Sequence, residues 1–391
     1  MGDAVVVAAV RTGIARAGRG LAGLTLQQLG KATVAGAIEA SGVDPEDLED
    51  VVLGEVLQGG GCLARHVAVD LGLPPDTPGL AVQRQCATGM AAVQDVAANI
   101  RCGMLTAAVA GGIETMTRSP LQFEKSPVPF GGVQPYLPPS HPDTPDAPNR
   151  NMLITVGENT ARECGITREE SDHWSLHSNL RAAAAFDDGR FAEEIIPVEV
   201  PVGRGQTVTF AEDEHPRRDT SPEKLASLRV LTGPDGTITA GNSSGIADGG
   251  AAMVVVDRAY AEAKGLTVLA EVYSWASSGI EPARTGLAPT LAIPRALEKG
   301  GLTTGDVDLV EINEAFASMA VASSRKLGFP HEIVNVNGGA VGIGHPVGAS
   351  GTRIMVTLIH ELRRRGGGIG VASLCAGGGM GSATVLKVPA G

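Results

Sequence analysis

Short apolar runs alternate along the chain with longer stretches in which apolar positions recur at helical spacing. At residues 78–96 the change is abrupt. The run in "PGLAV" predicts a strand, and in "QRQCATGMAAVQDV" the positions Ala87, Met90, Ala91, Val93 and Val96 predict a helix that starts just after a cysteine.

The alternation occurs twice. Residues 37–56, "AIEASGVDPEDLEDVVLGEV", predict a helix end, a cap at Gly42, an acidic turn and a strand. Residues 296–315, "ALEKGGLTTGDVDLVEINEA", repeat that order at constant spacing: Gly42 falls on Gly301, Asp47 on Asp306 and Glu55 on Glu314. Then "CATGMAAVQDVAANIRCGMLTAAVAGG" in the first copy and "GASGTRIMVTLIHELRRRGGGIGVASLCAGG" in the second each give a turn, helix, glycine and apolar strand, with Gly89 matching Gly351. Strands alternating with helical stretches of this length predict parallel βαβ units, here as two sheets related by duplication.

The copies then part. "VASLCAGGGMGSATVLKV" predicts two strands joined by a short glycine turn. In the first copy "AAVAGG" ends near residue 112, and its expected partner "GGAAMVVVD" begins only at Gly249. A hairpin tip tolerates such an insertion. We therefore expect an N-terminal half over 1–118, completed by 242–266, an inserted loop domain over 119–241, and a C-terminal half over 267–391. Within the insertion, "PVPFGGVQPYLPPSHPDTPDAPNRN" has many prolines and no periodicity, which predicts a loop. "REESDHWSLHSNLRAAAAFDDGRF" predicts a helix starting after Thr167, with Glu170 completing a capping box.

Composition narrows the function. A formal charge of −12 argues against a nucleic-acid groove or an anionic membrane surface as the main partner. The apolar runs are too short to span a bilayer. Neither a secretory signal nor a peroxisomal tail is visible, so a cytoplasmic protein is expected. The cysteines, Cys62, Cys86, Cys102, Cys164 and Cys375, are odd in number and lack CxxC spacing, which argues against a zinc site or a disulfide framework.

Four segments carry candidate chemistry. Cys86 stands at the predicted helix N-terminus, where unpaired N–H groups and the positive dipole end favour thiolate. The same N–H groups suit an oxyanion on an acyl carbon bound to the sulfur. His345, in "NVNGGAVGIGHPVGASG", precedes the matching helix of the second copy. If the two helices pack face to face, the duplication brings it near Cys86, and a His–Cys pair activates a nucleophile. The glycines of this loop give GxGxxxG, the wrong spacing for a dinucleotide fingerprint. Cys375 ends an apolar strand in the turn "SLCAGGGMG", a place that equally suits a small buried residue. Asn313 and Glu314, in "EINEAFA", lie between a strand and a helix, where capping is the plain alternative.

Together with "VRTGIARAGRGLAGL", "GGIETM" and "TAGNSSGIADGGAA", these segments resemble the thiolase family, in order and over essentially the whole chain. The resemblance implies a thiolase-like α/β fold: two duplicated βαβαβαββ halves, each with a five-stranded sheet, in an α-β-α-β-α layering, with an inserted loop domain that binds coenzyme A. It implies an acyl-CoA C-acyltransferase that condenses an acyl-CoA with acetyl-CoA, or cleaves a 3-ketoacyl-CoA with coenzyme A, through a cysteine acyl-enzyme. Coenzyme A and acyl-CoA are then substrates, with no permanently bound cofactor and no metal. A homodimer or homotetramer is implied, with no nucleic-acid or membrane partner.

By the same resemblance Cys86 takes the acyl group, His345 activates it, and Cys375 moves the proton at the α-carbon of acetyl-CoA. Asn313 would hold the water of one oxyanion hole with His345, backbone N–H groups of Cys86 and Gly377 would form the other, and Ser244 would contact the pantetheine arm. Arg217 and Arg218 read either as solvated charges or as contacts to the coenzyme A phosphates. A ketosynthase acting on a carrier protein usually has two histidines, where this chain has a second cysteine. A non-catalytic CoA- or lipid-binding relative would not need both thiols. Departures fall on the acyl pocket: Met152 and Leu153 stand where short-chain biosynthetic enzymes have His-Met, Thr285 replaces a methionine, and Ala247 and Thr88 replace Asn and Ser. Acetoacetyl-CoA specificity is therefore not implied.

Overall fold

The repeat folds as two copies of one unit. A computed structural model describes residues 2–136, 138–150 and 152–390. The first copy contains β1 (Ala4–Thr12), α1 (Leu26–Ser41), β2 (Asp50–Gly54), α2 (Leu63–Asp70), β3 (Leu80–Val82), α3 (Thr88–Arg101) and β4 (Ala107–Thr115). The chain then runs through an insertion that includes α4 (Met152–Cys164) and α5 (Arg168–Asp187), and returns in β5 (Ala247–Asp257). The second copy contains β6 (Ala270–Gly279), α6 (Pro289–Lys299), β7 (Leu309–Ile312), α7 (Ala317–Leu327), α8 (Ser350–Arg364), β8 (Gly368–Ala376) and β9 (Met380–Val388). Local chemistry sets the ends. Thr25 and Gln28 form a capping box before α1, Thr167 and Glu170 form one before α5, and Gly42 closes α1 at φ 68.

The strands lie in the order β3-β2-β4-β5-β1-β6-β9-β8-β7. The two sheets expected from the duplication are present and share an edge. The five strands of the first half are joined to those of the second through a short antiparallel pairing, Val5 with Glu271 and Val6 with Ala270. An exposed edge leaves a row of unpaired N–H and C=O groups, and each sheet satisfies the other's. The contact stops where both strands become irregular, between Val6 and Ala8 in β1 and between Val272 and Ser274 in β6. A bulge raises the local twist and ends the match. The second half also has four strands rather than five, because the counterpart of β3 shrinks to a single bridge between Val310 and Val334.

Three main cores separate the layers. Val5, Val7, Val10, Val254 and Val256 pack with α1 and α2 on the outer face of the first sheet. Val6, Met253, Val255, Val272, Leu374 and Leu386 face inward from both sheets onto α3 and α8. Val310, Ile312, Val371, Ala383 and Val385 pack with α6 and α7 on the far side. The strand registers and these clusters give the expected α-β-α-β-α layering. Sandwiching α8 between two sheets buries its whole length from Ser350 to Leu362, polar residues included. Some of its polar groups find partners: His360 Nε2 meets the Ala9 carbonyl at 2.9 Å, and Asn337 donates to Glu361 at 2.8 Å, whereas the Arg353 guanidinium lies 3.8 Å from Glu311 without a hydrogen bond and Thr352 Oγ1 has no partner among the described residues.

The insertion is stitched to the first half. Ile195–Ile196 pair in parallel with Arg11–Thr12. The fully buried Arg11 donates to Glu194 at 2.6 Å and to both oxygens of Asp213 at 2.7 and 2.9 Å, with its guanidinium 4.8 Å from the Phe191 ring. Among the described residues no helix is long and apolar enough to cross a membrane.

Candidate active site

The two inner helices start against each other. A Cβ on Gly351 would stand 2.4 Å from the Met90 nitrogen, and one on Gly89 would stand 2.8 Å from the Gly348 carbonyl oxygen. Only glycine lets the chains approach so closely. The start of α3 therefore packs against the start of α8 and the loop before it, which carries His345, and Cys86 lies just before the α3 cap.

Cys86 is set by a tight turn. Gln85 takes φ 50, an uncommon value for a residue with a side chain, and the Arg84 N–H donates to Thr88 Oγ1 at 2.7 Å. The thiol is buried at 5% exposure. The expected depression of its pKa is not found. Burial pushes the thiol up to about 11, against the pull of the Gly377 N–H and of its own N–H, while the Glu114 charge adds to the rise. The physical reason is position: α3 begins at Thr88 with Ala87 as its cap, so Cys86 lies outside the helix, in a dry pocket.

His345 is a neutral imidazole. Burial, and secondarily the Arg353 charge, bring its pKa down to about 3. Its Nδ1 lies 2.6 Å from Ser350 Oγ, and that hydroxyl donates to the Pro346 carbonyl at 2.8 Å. A hydroxyl that gives its only proton to a carbonyl must accept from the ring. The proton therefore sits on Nδ1, and Nε2 keeps a free lone pair. Nε2 is buried without a partner among the described residues.

Cys375, at the end of β8, shares this environment. Burial raises its pKa to about 12, with a further rise from a charge on Cys86, which ties the two thiols together. Its Sγ lies 3.6 Å from Met319 Sδ, in a small apolar cluster with Met152, Val156, Ile238 and Phe316. Gly377 directs its N–H at the Cys86 sulfur from the turn that follows β8. Asn313 follows β7, and its backbone N–H donates to the Ser373 carbonyl at 2.9 Å. Both ends of its side-chain amide are buried and unpaired among the described residues. Groups left this way suit a bound water or a substrate oxygen.

The expected coenzyme A residues are more dispersed. Ser244 is half-buried, and its N–H bonds the Ala315 carbonyl at 3.1 Å, which fixes it beside Asn313's loop. Arg217 is exposed and its backbone N–H donates to Asn179 at 3.0 Å. Arg218 pairs with Asp187 and lies over Phe186, so part of its charge is already met.

Three supporting residues escaped the sequence reading. Ser350 fixes the imidazole tautomer. Met319 touches the second thiol. Glu114 accepts the N–H groups of Val56, Leu57 and Gly348 at 3.1, 3.3 and 3.1 Å, so it pins the histidine loop to the first half. Burial raises its pKa to about 7. The sequence signal for Glu114 was a charge inside an apolar strand. Ser350 and Met319 gave no signal in the pattern. Glu314, suspected as a cap, instead accepts from Trp174, Ser178, Asn335 and the Val341 N–H, a purely internal network.

Comparison with known proteins identifies the family. Residues 4–259 match the model of the thiolase N-terminal domain, and residues 266–388 match that of the thiolase C-terminal domain. An acetyl-CoA acetyltransferase of Chromobacterium violaceum is 42% identical over 391 residues, covering 99% of this chain and 100% of the relative. Among solved structures, the Bacillus anthracis acetyl-CoA acetyltransferase has a TM-score of 0.93 at 38% identity, covering 99% of each chain. Human mitochondrial 3-ketoacyl-CoA thiolase has a TM-score of 0.92 at 36% identity, covering 100% of this chain and 99% of that one. With both halves matched and the fold shared from end to end, this chain belongs to the thiolase family of acyltransferases.

Proposed function

We propose that this chain is an acyl-CoA C-acyltransferase that joins an acyl-CoA to acetyl-CoA, and cleaves 3-ketoacyl-CoA in reverse, through an acyl group on Cys86. The observation that supports the reading is an interacting pair of buried thiols, Cys86 and Cys375, together with a buried histidine on the loop packed against the start of α3, whose Nε2 has no partner among the described residues. In the first half-reaction Cys86 attacks the thioester carbonyl and gives its proton to His345 Nε2. The coenzyme A thiolate leaves and takes the proton of Cys375. In the second, the Cys375 thiolate removes a proton from the methyl of acetyl-CoA, the carbanion attacks the acyl carbonyl, and the carbon–sulfur bond breaks. His345 then returns its proton to Cys86. The Cys86 and Gly377 N–H groups serve one oxyanion, and a water on Asn313 with His345 serves the other.

The resting pKa values support general-base catalysis over a standing thiolate–imidazolium pair. A neutral His345 beside a neutral thiol becomes charged only as the acyl carbon is attacked. The loop domain over 119–241, with Ser244 beside it, is the proposed coenzyme A-binding part, and Arg217 is the better placed of the two arginines for phosphate. A cytoplasmic homodimer or homotetramer, with no resident cofactor, completes the reading.

Intact-protein mass spectrometry after incubation with acetyl-CoA tests the roles. Cys375→Ser should gain one acetyl group and Cys86→Ser none. Thiolysis across 3-ketoacyl-CoA chain lengths then defines the substrate. Cleavage at no length, together with no condensation, would refute the enzyme reading.

A further inference from the structure

Helix α5 carries a second group of side chains, outside the chemistry of the thiols. His173 and His177 are four residues apart, so they stand one above the other on the helix surface. Their Nε2 atoms are 3.2 Å apart, with ring centroids at 4.5 Å. His331 stands perpendicular to His177 at 5.3 Å between centroids and packs on Trp174 at 4.7 Å. A surface hollow of about 470 Å³ opens here, lined in part by Glu169, His173, Trp174 and His331. His173 is exposed and His177 half-buried, so the nitrogens can be reached from solvent.

We propose that His173 and His177 chelate one divalent transition-metal ion, of the nickel, copper or zinc type, through both Nε2 atoms. Imidazole nitrogens bind such ions at about 2.0–2.1 Å, and two of them 3.2 Å apart subtend about 100° at the ion, between square-planar and tetrahedral values. Imidazole suits these metals, whereas magnesium and calcium prefer oxygen ligands. As neutral rings the pair shares one proton, with one nitrogen donating and the other accepting. On metal binding the donating ring takes the Nδ1–H tautomer, its Nε2 proton passing through solvent to Nδ1, so that both rings stay neutral and both Nε2 lone pairs face the ion. Among the described residues no group of three His, Cys, Asp or Glu side chains is arranged to hold a metal, so water completes the coordination and the ion stays exchangeable. The chelate spans the turn of α5 that includes Trp174, which donates to Glu314 at 2.8 Å. Bound metal should therefore stiffen the wall behind the Asn313 loop.

Calorimetric titration of the full chain with Ni²⁺ tests this. The wild type should bind one ion per chain at this site, and His173→Ala and His177→Ala should each weaken that binding at least tenfold. The exposed thiols are the same in all three proteins and cancel in the comparison. A second measurement uses the wild type alone: Ni²⁺ should protect both His173 and His177 from diethyl pyrocarbonate, mapped by peptide mass spectrometry. Wild-type binding no tighter than that of the two single variants, or modification of both histidines undiminished by Ni²⁺, would overturn the site and leave the pair as a hydrogen bond only.

Discussion

At the residue scale, burial outweighs the helix end. A thiol near a helix N-terminus gains from the dipole, but Cys86 sits before the cap and pays for a dry pocket with a raised pKa. Its resting reactivity should be modest. After brief iodoacetamide treatment at neutral pH, peptide mapping should find the exposed Cys62 and Cys102 labelled before Cys86. Labelling of Cys86 first would show a standing thiolate. His345 gives a stability prediction with a definite sign. Unfolded, it takes up a proton near 6.5; folded, only near about 3. Between these values the unfolded state binds the extra proton, so this residue's contribution to stability is present above 6.5 and is lost by about 1.4 kcal/mol per pH unit as the pH falls. Urea unfolding of wild type and His345→Asn over this range should show a shallower acid loss in the variant. Parallel curves would remove the assigned shift.

At the scale of elements, the meeting of α3 and α8 decides whether the two loops face each other. Gly351 has backbone atoms of Met90 where a Cβ would go, and backbone cannot step aside as a side chain can. Gly351→Ala should therefore destabilise the protein by about 1–3 kcal/mol or more and depress activity, since the helix starts must part. Gly305 makes a useful control, because a Cβ there would meet only Thr303 Oγ1 at an ordinary 3.6 Å. Gly305→Ala should stay within about 0.5 kcal/mol of wild type. Equal effects of the two substitutions in urea unfolding would mean that the helix contact has slack.

At the scale of the whole molecule, the insertion is held by Arg11 and by strand pairing. Removing the guanidinium leaves Glu194 and Asp213 facing each other in the interior. Arg11→Met should cost about 3–5 kcal/mol, the usual consequence of breaking a buried ion pair from one side. The insertion also exposes a run of large apolar side chains, among them Leu121, Phe123, Val128, Phe130 and Val133. Such a patch suits a protein interface. Sedimentation should give a mass that is a multiple of 39.8 kDa, and Phe130→Ser with Val133→Ser should lower it. An unchanged mass would move the interface to another face.

The sequence by itself determined the repeat and the order of its elements, because hydrophobic period and glycine spacing are local signals. The capping boxes at Thr25 and Thr167 are local too, and the second was legible for that reason. Only the tertiary structure decided the rest. Joining of the two sheets through Val5–Val6 depends on two edges meeting across some 265 residues of chain, which no local pattern encodes. The protonation states of Cys86, Cys375 and His345 depend on how much water the assembled layers exclude. The roles of Ser350, Met319 and Glu114 depend on what each touches across the fold. Burial and distant contact are properties of the packed molecule, and these decide the chemistry that the motifs only announce.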